Sequence, residues 1–182
     1  MRIKALLILT VLLLIFGLLN MACQPEEEIF DQQALIMVDD YVIKITEAIL
    51  AAQPDLLGWV RAPYSDNLPL EYDGERQEWL LEHKLKLEAI RKQHLGEAFP
   101  AREEIALWQV VVVRGDQEWL LEGPVLVDAL ANLEELTVDL IGTIEMIIEN
   151  DGKLDLTQSD QVLKLIDRIE PEIEEVRYVL FR

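Results

Sequence analysis

The chain has 182 residues, with 16 Lys plus Arg against 35 Asp plus Glu and a formal net charge of −19. Such a charge repels nucleic acid and bare anionic membrane, so neither is an expected partner; a basic protein partner suits it better. The single cysteine excludes an internal disulfide, and the length suffices for one domain with a real hydrophobic core.

Arg2 and Lys4 precede a run without charge, Ala5 to Leu19, that ends at Asn20-Met21-Ala22-Cys23. Its length, about 15 residues, is short for a membrane span of about 20 and fits an export signal. The site resembles the lipobox of bacterial lipoproteins. Ala22 and Cys23 match that pattern, whereas Asn20 and Met21 stand where Leu and a smaller residue are usual. The resemblance implies that residues 1–22 are a removed signal peptide and that Cys23 is acylated on its thiol. The mature chain is then lipid-anchored to a membrane of the cell envelope, on its periplasmic or extracellular side.

Without the leader the domain carries 16 − 2 = 14 basic against 35 acidic residues, a net charge of 14 − 35 = −21. Residues 23–28 form a short lipidated tether, and residues 29–182 the acidic domain. Leu35, Val38, Val42, Ile45, Ile49 and Ala52 recur at steps of 3 and 4, which predicts a helix over 28–52. Ile36, Ile43 and Leu50 widen its apolar face, and Pro54 is expected to stop it.

Residues 53–73 then read as a loop punctuated by Pro54, Gly58, Pro63 and Pro69. Long loops in compact domains are often functional. Trp59, Arg61, Tyr64 and Tyr72 are residue types that dominate interface hot spots, so they are candidate partner contacts. The competing expectation is that Leu56, Leu57 and Trp59 cap one end of the domain.

Asp73 and Gly96 bracket a second helix, 75–95, whose apolar face Leu80, His83, Leu87, Ile90 and His94 includes both histidines. Three helical turns separate the two, about 16 Å, too far for one metal ion. Neither has a Glu three residues before it, as a di-iron bundle requires. One of them paired with Met37 or Met146 is the arrangement a haem carrier needs.

Residues 102–122 fit two readings. As a helix, Ile105, Trp108, Val112, Gly115 and Trp119 form one seam. As a hairpin, Val110 to Val113 and Glu118 to Leu121 flank Arg114-Gly115-Asp116. The helix is the expectation, because a lone hairpin has no sheet to join.

Gly123-Pro124 opens a helix over 124–149 with Leu126, Leu130, Leu133, Thr137, Leu140, Ile144 and Ile147 at heptad-like steps. Asn150-Asp151-Gly152 is a turn, and it fails as a calcium loop because Ile147 and Gln158 fall where acidic ligands belong. Thr157 or Ser159 is expected to cap a final helix through Val162, Ile166, Ile169, Ile173, Val176 and Leu180, kinked at Pro171.

The fold expected is therefore all-α, a bundle of four to five helices with a possible short hairpin near 110–121. No phosphate loop, nucleophile elbow or singled-out carboxylate pair marks an enzyme. The reading calls for no metal and no resident cofactor. The expected function is a non-catalytic interaction or accessory subunit of an envelope complex. The alternative is a carrier of a cofactor or small ligand in the bundle interior near His83 or His94.

Overall fold

The computed structural model describes residues 32–61, 74–94, 96 and 99–181. The expected signal peptide and tether, with Cys23, lie outside them. Four long helices build the domain: α1 (Gln32–Arg61), α2 (Gly74–His94), then α4 (Gly123–Glu149) and α5 (Leu156–Phe181). A four-residue helix α3 (Arg102–Ile105) and a hairpin, β1 (Gln109–Arg114) with β2 (Gln117–Glu122), stand between the second and third of the long helices. The helical bundle with one short hairpin is the expected fold class.

Helix α1 packs on α2 and α5, and α4 packs on the same two. The pairings fix direction. Asp40 meets His94, Lys84 meets Glu145, and Arg91 meets Glu134, so neighbours run antiparallel. One end of the bundle thus collects the start of α1, the end of α2, the hairpin and the end of α5. The chain leaves α1 and re-enters α2 at the opposite end.

Residues at steps of 3 and 4 fill the interior. Val38, Val42, Ile45 and Ile49 of α1, Leu126, Leu133, Leu140 and Ile144 of α4, and Val162, Ile169 and Val176 of α5 have no exposed surface. Each such side chain contributes roughly 1.5–3 kcal/mol relative to solvent exposure. Thr46 and Thr137 share this interior because each hydroxyl donates to a carbonyl one turn back, Val42 O and Leu133 O, both at 2.7 Å.

Four expectations are corrected. Pro54 does not stop α1, which continues to Arg61. A mid-helix proline costs about 3 kcal/mol locally, but the next two turns bury Leu56, Trp59 and Val60, which outweighs it. Ile36 and Ile43 do not widen the buried face; they are 59% and 45% exposed. The cap of α5 is neither Thr157 nor Ser159. Asp155 accepts from Gln158 N at 2.8 Å while Gln158 Oε1 accepts from Asp155 N at 2.9 Å, a reciprocal capping box.

The fourth concerns 109–122, which is a hairpin and not a helix. Its strands pair antiparallel with Val112 opposite Trp119 and Val110 opposite Leu121. Gly115 takes φ +62° at the first loop position, where a two-residue II′ turn needs a positive value. The hairpin needs no second sheet, because Val112, Trp119 and Leu121 are buried against the helices. Trp119 Nε1 donates to Val179 O of α5 at 3.3 Å, and Gly123 N to Trp108 O at 2.7 Å where the second strand becomes α4.

The α4–α5 turn is as expected and closes as a Schellman motif. Gly152 N reaches Ile147 O at 2.9 Å and Asp151 N reaches Ile148 O at 3.2 Å. Asp151, at φ 49°, occupies the left-handed position that glycine usually takes.

Candidate functional site

Polar and charged side chains converge at the end of the bundle that holds the start of α1. Tyr41 is buried, and its hydroxyl donates to Glu134 Oε2 at 3.2 Å. Arg91 of α2 donates from Nε to Glu134 Oε1 at 2.9 Å and forms an ion pair with the same carboxylate. Burial raises the Tyr41 phenol, and the adjacent carboxylate raises it further, so Tyr41 stays a neutral donor. One carboxylate thereby ties three helices together.

His94, buried at the last position of α2, tilts against Tyr41 at 5.5 Å between centroids. Its Nε2 stands 3.6 Å from Asp40, beyond hydrogen-bond reach, and Asp40 itself holds Lys44 at 2.7 Å. Burial lowers the imidazole, with Asp40 opposing and Lys44 adding to the shift. His94 is therefore a neutral ring in the bundle wall. A cavity of about 230 Å³ opens beside Tyr41 and Glu134, lined further by Phe99, Pro100, Arg102 and Ile105. Pockets for drug-sized ligands start at about 300 Å³.

His83 lies half-buried nearer the opposite end, edge-on to Trp79 at 4.0 Å. Burial lowers it too, with Asp55 of α1 opposing. The helix thus keeps the two histidines apart, and the structure gives them different neighbours. Among the described residues, no cluster of three metal-ligating side chains occurs.

Trp59 is 6% exposed, buried at the far end of α1. The Arg61 side chain, Tyr64 and Tyr72 lie outside the described residues. The hairpin contributes a feature that spacing did not disclose. Its tip residue Arg114 ion-pairs with Asp39 of α1 and lies over the Phe181 ring of α5, 4.5 Å from the centroid. Burial raises the Asp39 carboxyl despite the opposing guanidinium. Around this contact opens a groove of about 680 Å³ lined by Ile43, Arg114, Glu174, Arg177, Tyr178 and Phe181. The β-branched run Val110 to Val113 was the sequence signal for this tip.

No protein-family model, curated protein or solved structure matches the chain. No helix among the described residues is long and apolar enough to cross a membrane.

Proposed function

We propose that the chain is a lipid-anchored protein of the cell envelope that acts as a non-catalytic interaction or accessory subunit of an envelope complex. The observation that carries this reading is Cys23. It is the single cysteine of the chain, it follows Ala22 at the end of an uncharged apolar run, and the helical domain begins shortly after it. Acylation of its thiol moors the bundle on the periplasmic or extracellular side of its membrane.

α1 ends at Arg61, and Tyr64 and Tyr72 follow it in the sequence as the candidate partner contacts. Trp59, on the last turn of α1, is buried and holds that end of the helix in the core. A basic partner suits the net charge of −21 derived above.

Two measurements test the reading. Mass spectrometry of the native product is expected to show a diacylglyceryl-modified Cys23 as the first residue, and Cys23→Ala is expected to move the protein out of the membrane fraction. An intact Met1 or an unmodified thiol would overturn it. Arg61→Ala, Tyr64→Ala and Tyr72→Ala together are expected to abolish crosslinking to an envelope partner with the melting midpoint unchanged.

A further inference from the structure

Ile36 and Ile43 stand two helical turns apart on one side of α1 and are 59% and 45% exposed. Val113, at the hairpin tip, is 61% exposed and Tyr178 of α5 is 62% exposed. The groove around Arg114 and Phe181 is lined by Ile43 and Tyr178; Val113 adjoins Arg114 in the chain, and Ile36 lies two turns before Ile43. Within the groove Arg114 and Arg177 stand against Glu174, and Arg114 is paired with Asp39 of α1, on a domain whose net charge is −21.

We propose that this surface, from Ile36 and Ile43 across the hairpin tip to Tyr178, is a membrane-resting face that seats the bundle in the headgroup boundary of its own bilayer. The proposal rests on the reading of Cys23 as the lipid attachment site. From Cys23 to Gln32 is 32 − 23 = 9 residues, at most about 30 Å of extended chain. The face begins on the first turns of α1, at the end of the domain where that chain joins.

Three physical features fit a zwitterionic leaflet. Ile36, Ile43 and Val113 supply aliphatic area for the acyl boundary, and Tyr178 is a residue type enriched at membrane interfaces. Arg177 has a long apolar stem with a polar head suited to phosphate, while Arg114 is neutralised by Asp39. Tethering raises the effective concentration of the surface to the millimolar range, so weak binding suffices. A second copy of the chain is a poorer occupant, since two domains of net charge −21 repel each other.

The test uses the full acylated chain in phosphatidylcholine vesicles, with Val113→Cys or Leu156→Cys labelled by an environment-sensitive nitrobenzoxadiazole dye. Leu156 is 71% exposed at the opposite end of the bundle. The expected result is a blue-shifted emission for the label at 113, quenched by nitroxide lipids, and neither change at 156. Ile43→Glu in the Val113→Cys background is expected to remove the shift while leaving the melting midpoint unchanged. An acylated protein with no shift at 113 overturns the proposal while leaving the anchor intact. A shift that grows with protein density at fixed lipid assigns the face to a second copy and also overturns it. Double labelling, through a free Cys23 thiol, shows that the anchor itself is wrong.

Discussion

Arg114 and Asp39, 75 positions apart, join the tip of the hairpin to the second turn of α1 by an ion pair. The pair is partly solvated, with Arg114 at 38% side-chain exposure, so its own contribution is small, on the order of 1 kcal/mol or less. It marks which end of the bundle the hairpin tip occupies, while the buried face of the hairpin, with Trp119, holds it there.

Trp119 and Arg114 should accordingly separate in mutants. Trp119→Ala removes a buried ring and leaves a void under the hairpin, with an expected loss of about 3–5 kcal/mol. Arg114→Ala is expected to cost about 1 kcal/mol or less, with no change in the far-ultraviolet spectrum. Denaturant titration of both variants checks the contrast, and equal losses would mean that the hairpin is held by its tip and not by its buried face.

Helix periodicity was legible in the sequence because burial in a bundle repeats every three to four residues, as Val162, Ile169 and Val176 show. Other features were not, for separate reasons. Pro54 carries a strong local stop signal, and nothing within one turn reveals that Leu56 and Val60 will find a core. The hairpin lost to a helix because its stability comes from α5, through Trp119 and Val179, 60 positions away. The Tyr41–Glu134 bond spans 93 positions and has no spacing signature at all. Of the sites expected from composition, both histidines fall on one helix as read, but only the fold shows that His94 is walled in by Tyr41 and Asp40.

Glu134 is the hub of the polar cluster, and removing it leaves the Arg91 guanidinium and the Tyr41 hydroxyl without their acceptor. A fully buried pair broken this way costs about 3–5 kcal/mol. Glu134 is 18% and Arg91 32% exposed by side chain, so water recovers part of that and the expected loss for Glu134→Ala is about 2 kcal/mol. Tyr41→Phe is expected to cost about 1 kcal/mol. The double variant should lose less than the sum, because the two changes remove one shared bond. Additive losses in thermal or urea unfolding would contradict the network.

His94 makes stability pH-dependent in a definite direction. Its folded pKa lies below the ordinary value of 6.5 because burial disfavours the imidazolium. Between that folded value and 6.5 the unfolded chain binds more protons, so stability falls as pH drops through this window. Asp40, Tyr41 and Lys44 face the ring. His83, also lowered by burial, adds the same sign. The difference in melting midpoint between pH 7.5 and 5.5 is expected to shrink in His94→Gln. An unchanged difference would show that His94 is accessible to solvent protons without unfolding.

Gly123 provides the sharpest test of how the hairpin is joined to α4. A Cβ built there lies 2.0 Å from Ile105 O, 2.8 Å from Trp108 N and 2.9 Å from Ala106 C. All three are backbone atoms of the end of α3 and the segment that follows it, so no side-chain rotation relieves the overlap. The same backbone carries the Gly123 N to Trp108 O bond, which closes the hairpin at its base. Gly123→Ala therefore has to push α3 and the base of the hairpin off α4. Overpacking costs about 1–3 kcal/mol where neighbours can adjust, and rigid backbone neighbours place this variant at about 3 kcal/mol. Ordinary helix propensity argues the other way, since alanine is favoured over glycine by about 1 kcal/mol inside a helix. A destabilised Gly123→Ala in urea unfolding, with faster amide exchange at Trp108 and Trp119, is the expected outcome. A stabilised variant would mean that α3 and α4 are not in backbone contact.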